Sequence, residues 1–139
     1  MGLFDAFDAS GSALSAERLR MDVSAENLAN AQSTRSANGS GPYKRKEVVL
    51  EQAGSSFADS LQAARGVRVA GIVEDPSPPR RVYDPGHPDA DAQGYVTMPN
   101  VNTVTEMTDL IGASRAYEAN VTAMQTAKSM FARTLDLLK

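Results

Sequence analysis

Apolar residues return at every seventh position near the start of the chain, at Phe7, Leu14, Met21 and Leu28. At about 100° per residue a heptad step drifts only about 20°, so this stripe stays on one side of a helix. Leu3 extends it by a turn. Leu19 and Val23 fall off the line and mark a second apolar face, which implies more than one neighbour. No proline and only one internal glycine, Gly11, interrupt residues 3–31, so the spacing predicts one continuous helix there. A second stripe occupies the last forty or so residues, where Met107, Leu110, Ser114, Tyr117, Val121, Met124, Lys128, Phe131, Leu135 and Leu138 follow alternating steps of three and four. This is a coiled-coil seam of four heptads, about 42 Å long at about 1.5 Å per residue. Asn100 or Asn102 can cap that helix, and Glu106 and Asp109 place negative charge in its opening turns, where free amides and the helix dipole favour it.

Between the stripes the texture changes. Asn30, Ser33, Thr34, Ser36, Asn38, Gly39, Ser40, Gly41 and Pro42 end the first helix in a loop. Residues 43–50 are consistent with a short strand, and residues 67–73 alternate at period two, as a half-buried strand does. Residues 56–64 are consistent with a helical turn or a loose connection. Pro76, Pro78, Pro79, Pro85 and Pro88 confine residues 75–91 to extended or turn geometry, with short edge pairing at 81–83. Residues 94–98 form one more short strand, closed by Pro99. The expected fold is mainly α, with long N- and C-terminal helices in a coiled-coil-like pair and a small β-rich middle region. Its three parts are residues 1–33, 34–99 and 100–139.

Size sharpens this picture. A chain of 139 residues with no tryptophan and four phenylalanines has room for one thin core. A helix of about 35 residues cannot hide its stripe against strands of about five or six residues. It needs the other long helix, and Ala113, Ala116, Ala119, Ala123, Ala127 and Ala132 permit further helices to approach closely. For Leu110, Tyr117, Met124, Phe131 and Leu138 the plain reading is an intramolecular core. The reading favoured by the shortage of covering protein is a seam shared with other subunits, with the helix ends frayed until partners arrive.

Charge and chemistry remove other classes. The net charge of -3 gives no general attraction to nucleic acid or anionic membranes, and Lys44, Arg45 and Lys46 read as a solvated stretch followed by Glu47 and Glu51. Cysteine is absent, which excludes disulfides and thiol chemistry. His87 is the only histidine, in a proline-rich loop with Asp84, Asp89 and Asp91, so neither a metal site nor a serine triad has its parts. Gly39-Ser40-Gly41 lacks the spacing of a phosphate loop. Residues 1–9 lack the basic and apolar regions of a secretory signal, and no window is apolar enough to span a bilayer. The expectation is a non-enzymatic structural protein with no cofactor and no nucleic-acid partner, outside the integral membrane class. A non-polymerising coiled-coil adaptor or export-chaperone-like binding protein is the alternative.

Glu26-Asn27-Leu28-Ala29-Asn30-Ala31, with Thr34 just beyond, resembles the N-terminal motif of bacterial flagellar rod, hook and related axial proteins. Gly94-Tyr95-Val96, Pro99-Asn100-Val101-Asn102, Glu106-Met107 and residues 113–120 are similar to the C-terminal half of the same family, closest to its proximal-rod branch. The family signature falls on Asn27, Leu28, Asn30, Asn100, Asn102, Arg115, Tyr117 and Asn120. The resemblance implies a subunit of the periplasmic basal-body rod that transmits torque. It also implies other rod subunits and copies of itself as partners, and passage through the flagellar type III export apparatus without a cleavable signal. In that setting the asparagines are expected to fix turns at the helix borders and bond across subunits, with Tyr117 in the seam.

Overall fold

The computed structural model describes residues 3–36, 39, 41–53 and 66–136. Residues 56–64 and Leu138, on which the sequence carried expectations, lie outside them. Six elements follow in order: α1 (Leu3–Ala29), β1 (Lys46–Gln52), β2 (Val67–Glu74), β3 (Arg80–Tyr83), β4 (Tyr95–Met98) and α2 (Thr103–Asp136). With helices of 27 and 34 residues and short antiparallel strands, the fold is mainly α with a small β region.

Two contacts set the direction of the helix pair. Asn27 Nδ2 donates to Glu106 Oε2 at 3.0 Å, and a Cβ placed on Gly11 would lie 4.0 Å from the methyl of Met124. Going back along α1 therefore goes forward along α2, and the helices pack antiparallel. Phe7 and Leu14 lie one turn either side of Gly11, so their side of α1 is the one turned towards α2. Phe7, Leu14, Met21 and Leu28 are all half-buried.

The second face of α1 has a different neighbour. Ser12 Oγ accepts from the Val67 amide at 3.0 Å, and Asn27 Oδ1 accepts from the Lys46 amide at 2.9 Å, so β1 and β2 run along this side. Ala16 and Val23 are buried here, within an arc of about 60° that also holds Ser12 and Asn27. Gly66 fits the same contact, since a Cβ on it would meet the Ser12 hydroxyl at 2.1 Å.

β1 and β2 pair from Lys46↔Glu74 to Gln52↔Val67, with a bulge where the register shifts between Val49 and Leu50. Alternation follows the pleat: Lys46, Val48 and Leu50 are half-buried, whereas Glu47, Val49 and Glu51 face water. β3 and β4 pair from Arg80↔Met98 to Tyr83↔Tyr95 as a separate hairpin. Gly94 turns it at φ 80°, and its missing Cβ leaves room for the Tyr83 ring. Two-stranded sheets are marginal alone, so β1 and β2 depend on their packing against α1, whereas β3 and β4 depend on the loops that flank them.

The core is small. Among the described residues the buried apolar side chains are Ala16, Val23, Ala31, Tyr43, Val96, Pro99, Val101 and Ala113, of which three are alanines. Val104, Met107, Ile111, Met130, Phe131 and Leu135, all on α2, contribute exposed apolar area.

Candidate assembly surface and the polar clasp beneath it

Where α1, β1 and the start of α2 meet, the interior is polar. Glu106 and Asn27 are each 1% exposed, the most buried polar side chains described. Arg45 Nε donates to Glu106 Oε1 at 2.5 Å, and the other carboxylate oxygen takes the Asn27 bond. Asn27 is fully used: Nδ2 also donates to the Lys46 carbonyl at 2.8 Å, and Oδ1 accepts from the Lys46 amide and, at 2.9 Å, from the Tyr43 hydroxyl. Asn100 Oδ1 accepts from the Arg45 amide at 2.9 Å, while its Nδ2 donates to the Asp75 and Ser77 carbonyls at 3.3 and 3.2 Å. Both helices, the first strand and the proline-rich segment thus converge on one set of hydrogen bonds. Satisfied buried networks of this kind specify register, because a slipped pairing strands charge and amide groups without partners.

Arg45 is the charge at the centre. Glu47, Glu106, Asp75 at 3.6 Å and Asp109 at 3.6 Å surround its guanidinium. Burial works against its charge, but the hydrogen bond and charge of Glu106, with Asp75 and Asp109, outweigh it and raise its pKa. The Tyr43 phenol is pushed up from 10.0 to about 12 by burial first and then by the charges of Glu26, Glu106 and Glu74. A raised pKa of this kind supports the fold fully below the unfolded value and loses that support as pH rises through the window from about 10 to about 12. We therefore expect the stability difference between the native chain and Tyr43→Phe, read from urea unfolding, to shrink by about 1–3 kcal/mol across that window. A constant difference would show that the phenol is not held neutral.

A second latch ties the loop after α1 to the proline-rich turn. Thr34 Oγ1 donates to Asp89 Oδ2 at 2.7 Å, and Arg35 pairs with the other oxygen. Hydrogen bonds from Arg35 and Thr34 hold the Asp89 carboxyl below its ordinary range. His87 is absorbed in the same turn, its Nδ1 accepting from the Asp89 amide at 3.1 Å. No group of three metal-ligating side chains occurs among the described residues.

The residues singled out by sequence divide into distinct places. Asn102 caps α2, accepting from the Val104 and Thr105 amides at 3.0 and 3.4 Å, whereas Asn100 binds the middle region instead. Asn30 closes the end of α1 through the Glu26 carbonyl and the Ser33 hydroxyl. Among the described residues Asn120 bonds only its own helix, at the Ala116 carbonyl, and Arg115 is exposed with no ion pair. Leu110, Tyr117, Val121 and Met124 are half-buried on α2, while Met107, Phe131 and Leu135 are 54%, 42% and 48% exposed. Sequence reasoning missed Arg45, read as part of a solvated stretch, and Tyr43. Nothing local marks them, because their partners lie far along the chain.

The two helices coincide with known sequence families. Residues 7–35 match the family described as flagella basal body rod protein, and residues 92–137 match the flagellar basal body rod FlgEFG protein C-terminal family. The chain is 50% identical to the flagellar basal-body rod protein FlgC of Yersinia enterocolitica over 137 residues, 99% of this chain and 98% of the relative. It is 45% identical to that of Bacillus subtilis over 150 residues, all of both chains. The chain belongs to the FlgC family of flagellar basal-body rod proteins. The FlgC protein of Borreliella burgdorferi, 43% identical over 152 residues, extends the similarity across 100% of this chain and 99% of the relative. Membership of the FlgC family makes the chain a structural rod subunit and not an enzyme. Among the described residues no helix is long and apolar enough to cross a membrane.

Proposed function

We propose that the chain builds the rod by polymerising through its paired terminal helices, packed in coiled-coil fashion with other rod subunits and copies of itself. In this reading the seam runs through Phe7, Leu14, Met21, Leu28, Met107, Leu110, Tyr117, Val121, Met124, Phe131, Leu135 and Leu138, the rod stands in the periplasm, and the subunit reaches it through the flagellar type III apparatus without a cleavable signal. The observation that carries the proposal is the set of exposed large apolar side chains on α2, Val104, Met107, Ile111, Met130, Phe131 and Leu135, because exposed apolar surface of this kind marks an interface. Such contacts transmit torque because close-packed interfaces resist shear along their whole length.

A strain lacking the chain is expected to be non-motile, with motility restored by a tagged copy that copurifies with basal bodies. A motile deletion strain would overturn the reading.

A further inference from the structure

Residues 80–98, which hold β3 and β4, are stiff along their own length. Asp91 Oδ1 accepts from the Gln93 and Tyr95 amides, both at 2.9 Å, and Oδ2 accepts from Arg81 at 2.6 Å. The Tyr83 and Tyr95 rings meet edge to face at 5.3 Å, and the Arg81 guanidinium stacks on the Tyr95 ring at 4.9 Å. What this hairpin lacks is purchase on the other elements. Neither β3 nor β4 packs on a helix or on the β1–β2 pair.

Its root and its tip are fastened differently. At the root, Asn100 lies just past the hairpin and donates to the carbonyls of Asp75 and Ser77, just ahead of it, so the two chain ends are gathered at one point. The same asparagine accepts from the Arg45 amide, which ties that point to the clasp. At the tip, Asp89 accepts from Thr34 Oγ1 at 2.7 Å and from Arg35 Nε at 2.9 Å. Among the described residues, every hydrogen bond and ion pair that leaves residues 80–98 is made by Asp89. Between root and tip lies Val96, 1% exposed and paired with half-buried Val82, while Tyr83 and Tyr95 are exposed on the other side of the hairpin.

We propose that residues 80–98 are a hinged arm with a single latch, pivoting at Asn100 and fastened at Asp89 to the loop after α1. Latched, the arm keeps Val96 covered. Released, it lifts as a unit and turns that apolar side outward, while the helix pair and the clasp stay as they are. The Arg35 side chain is 77% exposed, so the latch is a weak surface contact of the kind that local fluctuation opens far short of global unfolding. One helical scaffold thereby carries two surface shapes. The inference goes beyond the polymerising reading and does not rest on it.

The test measures spin-label distances in the full chain, whose lack of cysteine makes introduced cysteines the sole labelling sites. Thr97→Cys with Thr122→Cys spans the arm and α2, whereas Ala29→Cys with Thr122→Cys spans the helix pair, and all three positions are exposed. With Asp89 in place both distance distributions are expected to be narrow. Adding Asp89→Ala is expected to broaden the first about twofold and to leave the second unchanged. Asp89→Asn, whose amide oxygen still accepts from Thr34, is expected to fall between. An arm distribution that is already broad with Asp89 in place, or that Asp89→Ala leaves narrow, would overturn the inference. Equal broadening of both pairs would overturn it as well, because the helices would then loosen together with the hairpin.

Discussion

Arg45→Ala is expected to lower the unfolding free energy by about 3–5 kcal/mol, the cost of leaving a buried carboxylate without its counter-charge. Glu106 is 1% exposed, and Arg45 is the cation that contacts it. Its remaining bond, from Asn27, is a neutral amide and cannot replace that charge. The double substitution Arg45→Met with Glu106→Gln is expected to recover much of the loss, since the side-chain amide introduced by Glu106→Gln can keep the Asn27 contact without a charge to solvate. Urea unfolding of the native chain, the single variant and the double variant checks both statements. A single variant within about 1 kcal/mol of the native chain would mean that water reaches Glu106 and that the clasp is not a closed interior.

Met124→Asp is expected to abolish motility, whereas Arg80→Ala leaves it intact. Met124 is half-buried where α2 meets α1 beside Gly11. A carboxylate there faces apolar neighbours with no cation described in contact, at a cost of several kcal/mol that a thin core cannot absorb. Arg80 is exposed at the start of β3 and engages Met98 only through backbone pairing. Swimming assays on complemented strains, with immunoblots for subunit abundance, separate lost assembly from lost expression. A fully motile Met124→Asp strain would count against the helix contact as the element that carries the load.

Much of the architecture was legible because it is written in local patterns. The seven-residue apolar recurrence and the lack of breakers placed α1 within two residues of its end, and the polar run after Asn30 stopped it. Period-two alternation found β2, and the proline spacing confined pairing after Asp75 to the short β3. Val23, off the heptad line, pointed to a second neighbour, and that neighbour is the β1–β2 hairpin. The clasp was not legible in the same way. Lys44-Arg45-Lys46 reads as a solvated basic run, yet Arg45, just before β1, turns to the buried Glu106 carboxylate while Lys44 stays exposed. Glu106 reads as a complement to the helix dipole, and its burial follows from where α1 lies, which no local window contains. Asn27, Asn30, Asn100 and Asn102 stood out together, but their four different tasks emerged only from their partners.

The Asn27–Glu106 bond joins residues 79 positions apart. Closing a loop of that length costs about 4 kcal/mol in chain entropy beyond a constant, and the bonds that reward it form only at closure. Contacts between distant parts of a chain slow folding, and here the first and last segments must both be present before either helix finds its mate. A chain that becomes available from one end only, in whichever direction, therefore remains open until more than three-quarters of it is free, and then closes late, as a single event.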